Sequence, residues 1–161
     1  MVDKELALSK TDEVVTMLTY YNGIGKQLEQ RAVSVTNSSV ADTLKIGDGI
    51  RFETDINDEI VGLKRLFSPA DSTVIDTGTE FAARSRIAKG NVYKKQDSII
   101  KLDGGDGEVI NCASVVVYVL DDDKVEIGSL SDIYDSDVKA SGSEVYIYLK
   151  YGEAISLIVK K

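Results

Sequence analysis

The chain has 161 residues, of which 43% are hydrophobic, and a formal net charge of −8. This length accommodates one medium domain or two small ones, and the hydrophobic content suffices for a buried core, which excludes a disordered polymer. The acidic balance disfavours a nucleic-acid partner, because phosphate contacts require clustered Lys and Arg. No apolar stretch approaches the ~20 residues of a membrane-spanning helix, so we expect no membrane partner either.

Two further features of the composition restrict the chemistry. The chain contains no His, which removes Ser-His-Asp and Cys-His catalysis and the commonest general base. Cys112 is the one cysteine, so no internal disulfide or Cys-rich zinc site can form. We interpret Cys112 as a small buried hydrophobe, since free cysteine is commonly buried. The N-terminus lacks the apolar core of a signal peptide, which predicts either a cytoplasmic chain or the mature piece of a longer one.

The first half of the sequence predicts an arm followed by a β module. Residues 1–12 are interpreted as an N-terminal arm in which Leu6 and Leu8 anchor the chain to a surface. Residues 13–67 contain β-branched and aromatic runs separated by turn residues, which is typical of short strands. Their clearest signal lies at 50–63, where two apolar runs flank a polar turn and predict a β-hairpin.

Residues 68–86 have a different composition and predict a boundary. They contain the one proline, Pro69, and alternation of apolar and polar residues does not continue through them. We interpret this segment as an irregular linker, or as an extended loop that lies across a neighbouring subunit. A short helix over 79–87 would turn Phe81 inward, and Phe81 is a candidate contact residue.

Residues 87–161 predict a second β module. Short strands alternate with turns such as 103–107 and 121–124, and residues 145–158 repeat the hairpin pattern of 50–63. The sequence therefore predicts an all-β protein with two small tandem barrel-like or sandwich-like modules. The two hairpins are expected to occupy equivalent places in the two modules.

Candidate sites in the sequence are few. Asp103, Asp106 and Glu108 lie in a Gly-rich loop and are a candidate calcium site, because hard cations bind several carboxylate oxygens. Their spacing does not match an EF-hand, however, and tight turns also select Asp and Gly. The run Asp121-Asp122-Asp123 is interpreted as a solvated acidic turn. No carboxylate pair suited to glycoside hydrolysis stands out and no phosphate-binding loop is present, so we expect a protein without enzymatic activity and without a cofactor.

The last hairpin suggests a contact surface. In the run from Val145 to Leu149 the aliphatic residues share one face of the strand, which leaves Tyr146 and Tyr148 on the other. Tyr is large, rigid and amphipathic, as interface residues often are. We expect these two tyrosines either to contact another subunit or to be covered by the linker of their own chain.

Parts of the sequence resemble a known class of β-domain. The residues that carry the resemblance are the phrases 116–133, 146–159 and 45–52, and it extends over about 44–67 and 87–159. The chain resembles β-domains of S-layer and other surface proteins of clostridia and related bacteria, and of virion structural proteins of phages that infect such hosts. This resemblance implies a modular, barrel-like building block without catalytic residues.

We therefore expect a structural protein of a repeating assembly, such as a capsid decoration or tail protein of a phage virion. Its partners would be copies of itself and other structural proteins of the particle, contacted through the arm, the linker and the outward tyrosines. To offset the repulsion between acidic chains, acidic turns are expected to face outward or to meet basic residues such as Lys64, Arg65, Arg84 and Arg86. The alternatives are a cell-surface or S-layer module that binds a glycan or a protein, and a carboxylate-based hydrolase.

Overall fold

The computed structural model confirms the all-β class, with 56% of the described residues in strands and 8% in helices. The residues that it describes are 1–8, 13–23, 25–75, 85–103 and 107–161. The chain divides into two compact units, Met1–Ile75 and Asp76–Lys161. Each unit has its own apolar core.

The first unit contains two three-stranded sheets. Its strands are β1 (Asp3–Leu8), β2 (Val14–Tyr21), β3 (Leu28–Ala32), β4 (Gly49–Thr54), β5 (Ile60–Ser68) and β6 (Thr73–Val74). The strand orders are β1-β2-β3 and β4-β5-β6, all antiparallel. A parallel bridge between Val33 and Ile60 joins the two sheets. A short helix α1 (Ser38–Thr43) lies between β3 and β4 in the chain.

The core of the first unit is small and mixed. Leu18 and Tyr20 of β2 point inward at a spacing of two, as expected of a strand with one buried face. They pack with Ala41 of α1 and with Ile60 of β5. The ring of Tyr20 meets that of Phe52 edge-on, with 5.0 Å between the centroids.

The predicted hairpin at 50–63 is confirmed as the pair β4–β5. Asp55 organises its turn, because one carboxylate oxygen accepts hydrogen bonds from the backbone N–H groups of Asn57, at 2.8 Å, and Glu59, at 3.0 Å. Asp58 adopts a positive φ of 60°, which Asp tolerates better than most residues. The polar residues between the two apolar runs therefore determine where the strands reverse.

The second unit is built on one seven-stranded sheet. Its strands are β7 (Ser85–Gln96), β8 (Ile99–Leu102), β9 (Val109–Asn111), β10 (Val116–Asp121), β11 (Lys124–Ile127), β12 (Glu144–Lys150) and β13 (Glu153–Lys160). The order is β11-β10-β13-β12-β7-β8-β9. Only the pair β10–β13 is parallel among the described strands, which requires the chain to cross over through residues 128–143.

The crossover segment is fixed to β7 by specific contacts. The ammonium group of Lys95 donates to the backbone carbonyls of Leu130, at 2.7 Å, and Ile133, at 2.5 Å. Gly142 lies so close to β7 that a Cβ at its position would be 1.8 Å from the carbonyl oxygen of Val92. Only glycine permits that approach.

The core of the second unit is larger and aliphatic. Alternate residues of β12, Val145, Ile147 and Leu149, point inward together with Leu157 and Val159 of β13. All five are at most 2% exposed. This alternation is the pattern that the sequence showed at 145–158, and the predicted hairpin there is confirmed as β12–β13.

Three sequence-based expectations about organisation are corrected. None of the three sheets of described strands closes into a barrel. The two hairpins do not occupy equivalent places, because β4 is an edge strand whereas β12 and β13 are both central in their sheet. Residues 3–8 are not a separate arm but form β1, which pairs along its whole length with β2.

Parts of the predicted linker over 68–86 are strands rather than irregular structure. Residues 73–74 form β6 on the edge of the second sheet, and β7 already begins at Ser85, so residues 85–87 are a strand rather than the end of a helix. The remainder of the predicted helix and Phe81 lie outside the described residues. The alternation of apolar and polar residues is too short in these stretches to predict strands, because the register of such strands depends on a partner strand.

Candidate functional site

A β-bulge in β7 gives the second unit its most distinctive surface. Val92 pairs with Leu102 and Lys94 pairs with Lys101, so β7 contains one extra residue, Tyr93, at this point. The ammonium group of Lys101 lies 5.5 Å from the centroid of the Tyr93 ring. Bulges of this kind often redirect side chains near functional sites. Here the bulge collects one aromatic and two basic side chains on the outer face of the sheet.

Exposed apolar residues flank these three side chains. Lys101 of β8 lies between two neighbouring strands, with Lys94 of β7 opposite it on one side and Val109 of β9 opposite it on the other. Ile99 is two residues before Lys101 and therefore on the same face of β8. Val109 is 63% exposed and Ile99 47%. We call Tyr93, Lys94, Ile99, Lys101 and Val109 the bulge patch.

The charge of the bulge patch is unfavourable for the chain by itself. Two like charges directly opposite each other on neighbouring strands repel and destabilise the sheet. Within the described residues, no carboxylate pairs with the ammonium group of Lys94 or Lys101. The whole chain carries a net charge of −8, so two opposed basic side chains without a carboxylate ion-pair partner among the described residues depart from its average. An anionic partner would relieve this repulsion.

The complementary charge lies at the other end of the strand order. β10 and β11 are joined by a tight turn in which Asp121 pairs with Lys124 across the hairpin. Asp122 sits in this turn at a positive φ of 51°. Asp121, Asp122 and Asp123, here called the acidic tip, are all exposed. β11 is one edge of the sheet and β9, which carries part of the bulge patch, is the other.

The candidate calcium residues are engaged by the protein instead. One carboxylate oxygen of Asp103 accepts a hydrogen bond of 2.6 Å from the backbone N–H of Ala140. Glu108 forms an ion pair with Arg86, and Asp106 lies outside the described residues. No group of three or more potential metal ligands occurs within the described part of the chain. Asp103 and Glu108 therefore each have a partner within the chain.

The predicted tyrosine surface is largely buried. Tyr146 is only 1% exposed within its own chain, and its ring lies 5.9 Å from the ammonium group of Lys89. Tyr148 is half-buried, and its hydroxyl shares a hydrogen bond of 3.2 Å with that of Ser85. Tyr146 is therefore not the outward interface residue that the sequence predicted, because its own chain covers it.

The predicted contact residues of the N-terminal segment belong to β1. Leu6 lies opposite Thr16 and is 76% exposed, whereas Leu8 ends the strand opposite Val14. Leu6 thus remains a candidate contact residue, although as part of a sheet edge rather than of an arm.

Cys112 is buried, at 1% exposure. Burial raises the pKa of its thiol to about 11. The thiol is therefore protonated at neutral pH, which makes it a poor nucleophile. This environment agrees with a packing role for Cys112.

The first unit contains a buried ionic cluster that the sequence did not reveal. The side chain of Asp48 is inaccessible, and its Oδ2 accepts hydrogen bonds from Nε of Arg65, at 2.6 Å, and from the backbone N–H of Lys45, at 2.8 Å. Arg65 also donates to Ser68, at 2.8 Å, and to Asp71, at 3.2 Å. A hydrogen bond from Lys45, together with Arg65, holds the pKa of Asp71 below its usual value.

This cluster orders the first unit, since it connects the turn before β4 with β5 and with the loop after it. The other oxygen of Asp48, Oδ1, is buried and has no hydrogen-bond partner among the described residues. The α-amino group of Met1 donates a hydrogen bond of 2.7 Å to the backbone carbonyl of Asp48. The expectation that Arg65 and Arg86 would meet acidic residues is therefore met within the chain.

Comparison with protein-family models, with curated proteins and with solved structures found no match for the chain. No helix among the described residues is long and apolar enough to cross a membrane.

Proposed function

We propose that this protein is a non-catalytic structural subunit of a repeating assembly, in which the acidic tip of one copy binds the bulge patch of the next. The observation that carries the proposal is the directly opposed couple Lys94 and Lys101 beside Tyr93 in a strongly acidic chain, for which the described residues supply no carboxylate partner. A partner that presents several carboxylates on a narrow turn would neutralise both ammonium groups at once.

The acidic tip fits this requirement. It presents three carboxylates on a hairpin turn that is narrow enough to approach two neighbouring strands. The exposed Ile99 and Val109 would supply apolar contact around the charged centre, as interfaces usually do. Because tip and patch are different surfaces of one chain, their contact is heterologous and repeats from copy to copy, closing into a ring or continuing as a filament.

A virion, with the chain as a capsid decoration or tail protein, is the setting that we propose for this assembly. The support is the resemblance to structural domains of phage particles, which are themselves built from many identical copies.

A charge-swap experiment tests the contact. The patch variant carries Lys94→Glu and Lys101→Glu, and the tip variant carries Asp121→Lys and Asp123→Lys; Asp122 is retained because of its positive φ. Sedimentation velocity at rising protein concentration should show association of the unaltered chain. Association should weaken as salt rises, because the screening length falls from ~10 Å at 0.1 M to ~3 Å at 1 M.

Each variant alone should lose this salt-dependent association, since its tip and patch then have the same sign of charge. An equimolar mixture of the two variants should associate again, because the acidic tip of one meets the unaltered patch of the other and the reversed pair is also complementary. A matched control, Lys26→Glu with Lys139→Glu, makes the same change in net charge on exposed lysines outside the patch and should associate. A mixture that associates no more than the separate variants do would exclude this contact.

A glycan-binding module at a cell surface is the second candidate, and it rests on the same patch. Tyr93 beside Lys101 resembles the pairing of an aromatic platform with a cation that holds an acidic sugar. If the unaltered chain does not associate with itself, calorimetric titration with a polysialic or sulfated oligosaccharide distinguishes the two. Binding that is lost in the patch variant would favour the glycan module.

A further inference from the structure

We infer that β1 is a second assembly surface, at which two copies of the chain pair edge to edge around Leu6. The inference rests on the first unit and does not require the tip-to-patch contact. It concerns a symmetric contact, in which the same strand of both copies forms the interface.

The first observation is the position of β1 in its sheet. In the order β1-β2-β3, β3 continues into the neighbouring sheet through the bridge at Val33, whereas β1 has a described partner on one side only. An edge strand presents backbone N–H and C=O groups that a further strand can pair with. Strand addition of this kind is a common mode of protein recognition.

The second observation is the uneven protection of this edge. Its first half is charged and its side chains are occupied: Lys4 donates to the carbonyls of Ala41, at 3.2 Å, and Asp42, at 2.9 Å, while Glu5 accepts from Gln30, at 3.2 Å. Its second half reads Leu-Ala-Leu. Natural proteins usually protect exposed edges with charges or proline, and this half of β1 has neither.

The third observation is an apolar pair beside the open edge. Val14 of β2 lies two residues from Thr16, the partner of Leu6, so Leu6 and Val14 are diagonal neighbours on one face. They are 76% and 67% exposed. The edge strand of a second copy would place its side chains beside Leu6, and the pairing would extend the sheet from three strands to six.

The sequence of β1 favours the β1 strand of a second copy as the partner at its open edge, and it favours one register of pairing. Consider two copies of one strand that pair antiparallel, with equivalent faces of the two sheets on the same side. The residue numbers of any two opposed positions must then add up to an even number. With Leu6 opposite Leu6, Glu5 faces Ala7 and Lys4 faces position 8, so five residues of each strand pair and no like charges are opposed. Shifting the register by two residues towards the N-terminus places Glu5 opposite Glu5, which is unfavourable. Shifting it the other way shortens the paired segment.

Disulfide trapping tests both the contact and its register. The chain contains one cysteine, Cys112, which is buried and has a raised pKa, so an engineered surface thiol is the reactive one. In the proposed register Leu6→Cys places two thiols opposite each other, at a Cα separation of about 4.5–5.5 Å that permits a disulfide. Mild oxidation should therefore convert Leu6→Cys to a covalent dimer.

Three further variants establish specificity. Glu5→Cys alone should form little dimer, whereas Glu5→Cys mixed with Ala7→Cys should form the mixed dimer, because these positions are opposed. Val35→Cys, an exposed site of the same unit at 70% exposure, reports random collision. Equal trapping at residues 6 and 35 would overturn the inference.

The unmodified contact is tested by sedimentation equilibrium. Leu6→Lys should abolish the dimer, because the charge lies at the centre of the interface, while Val35→Lys should leave it intact. Circular dichroism and thermal unfolding check that both variants fold. The patch variant of the second unit separates the two proposals: it should retain the Leu6 dimer even when longer assemblies are lost. An unaltered chain that is monomeric over the accessible concentrations, with no trapping at residue 6, would overturn the inference.

Discussion

The first unit combines a small apolar core with a buried ionic cluster, whereas the second unit has a larger core of mostly aliphatic side chains. Asp48 and Arg65 are the centre of the first arrangement, and Val145 and Ile147 belong to the second. Buried ion pairs contribute little net stability but depend strongly on both partners being present. Aliphatic burial is non-directional and roughly proportional to area. The first unit should therefore be sensitive to loss of a single charge, and the second to loss of side-chain volume.

The largest expected effect is in the ionic cluster. Arg65→Met leaves the inaccessible carboxylate of Asp48 without its cation and should reduce the free energy of unfolding by about 3–5 kcal/mol, measured by urea denaturation. Combining it with Asp48→Asn removes the buried charge but retains an acceptor for the backbone of Lys45, and should restore much of the loss. Lys124→Met breaks the exposed pair with Glu126 and should leave the stability nearly unchanged. Similar losses for Arg65→Met and Lys124→Met would contradict the contrast between the units.

The next effect concerns the aliphatic core. Ile147 is inaccessible in the centre of the seven-stranded sheet, so Ile147→Ala should cost about 2–5 kcal/mol through lost burial and a residual cavity. Ile99 is in the same sheet but 47% exposed, and Ile99→Ala should cost much less. Denaturation curves followed by tyrosine fluorescence measure both. Equal losses would mean that the outer face of β8 is as tightly packed as the core.

A third prediction uses pH to examine the first unit. In the chain that begins at Met1, burial lowers the pKa of the α-amino group from 8.0 to about 6, against the attraction of Asp48. Between these two values the unfolded state binds more protons than the folded state, so stability should rise with pH from about 6 to 8 and level off outside this window. The gain should be up to about 2–3 kcal/mol, at about 1.4 kcal/mol for each pH unit.

The composition makes this pH test selective. The chain has no His, so the α-amino group is the group whose ordinary pKa lies in the window. Acetylation of the amino group should remove the slope, which can be followed by thermal unfolding at pH 6, 7 and 8. A slope that persists in the acetylated chain would assign the titration to another group.

The smallest effect is expected at the bulge patch. Lys94→Glu replaces a repulsive cross-strand pair with an attractive one opposite Lys101, and should raise the unfolding free energy by roughly 0.2–1 kcal/mol. Lys26→Glu makes the same change in net charge at an exposed turn and should give no such gain. A variant that is more stable but no longer associates would indicate that the native lysines serve binding rather than folding. A loss of stability in Lys94→Glu would contradict the repulsion on which the proposed function depends.

The sequence alone was sufficient for the elements whose signal is local. Alternation of apolar and polar residues identified the hairpins β4–β5 and β12–β13, and the spacing of short strand patterns and turns identified the all-β class. A strand with one buried face repeats every two residues wherever it lies in a sheet. That periodicity is present in the chain before any partner strand is known.

The tertiary structure decided the rest, because pairing between distant strands leaves little trace in either one. The sequence of residues 3–8 predicted a charged arm, but these residues form β1 because they pair with β2. The burial of Tyr146 likewise cannot be inferred from the sequence of its own strand. The bulge patch depends on a one-residue shift between β7 and β8, and Asp48 meets Arg65 across 17 residues of chain. Register, edge position and long-range ion pairs arise from the free energy of the whole unit, so no local stretch of this sequence determines them.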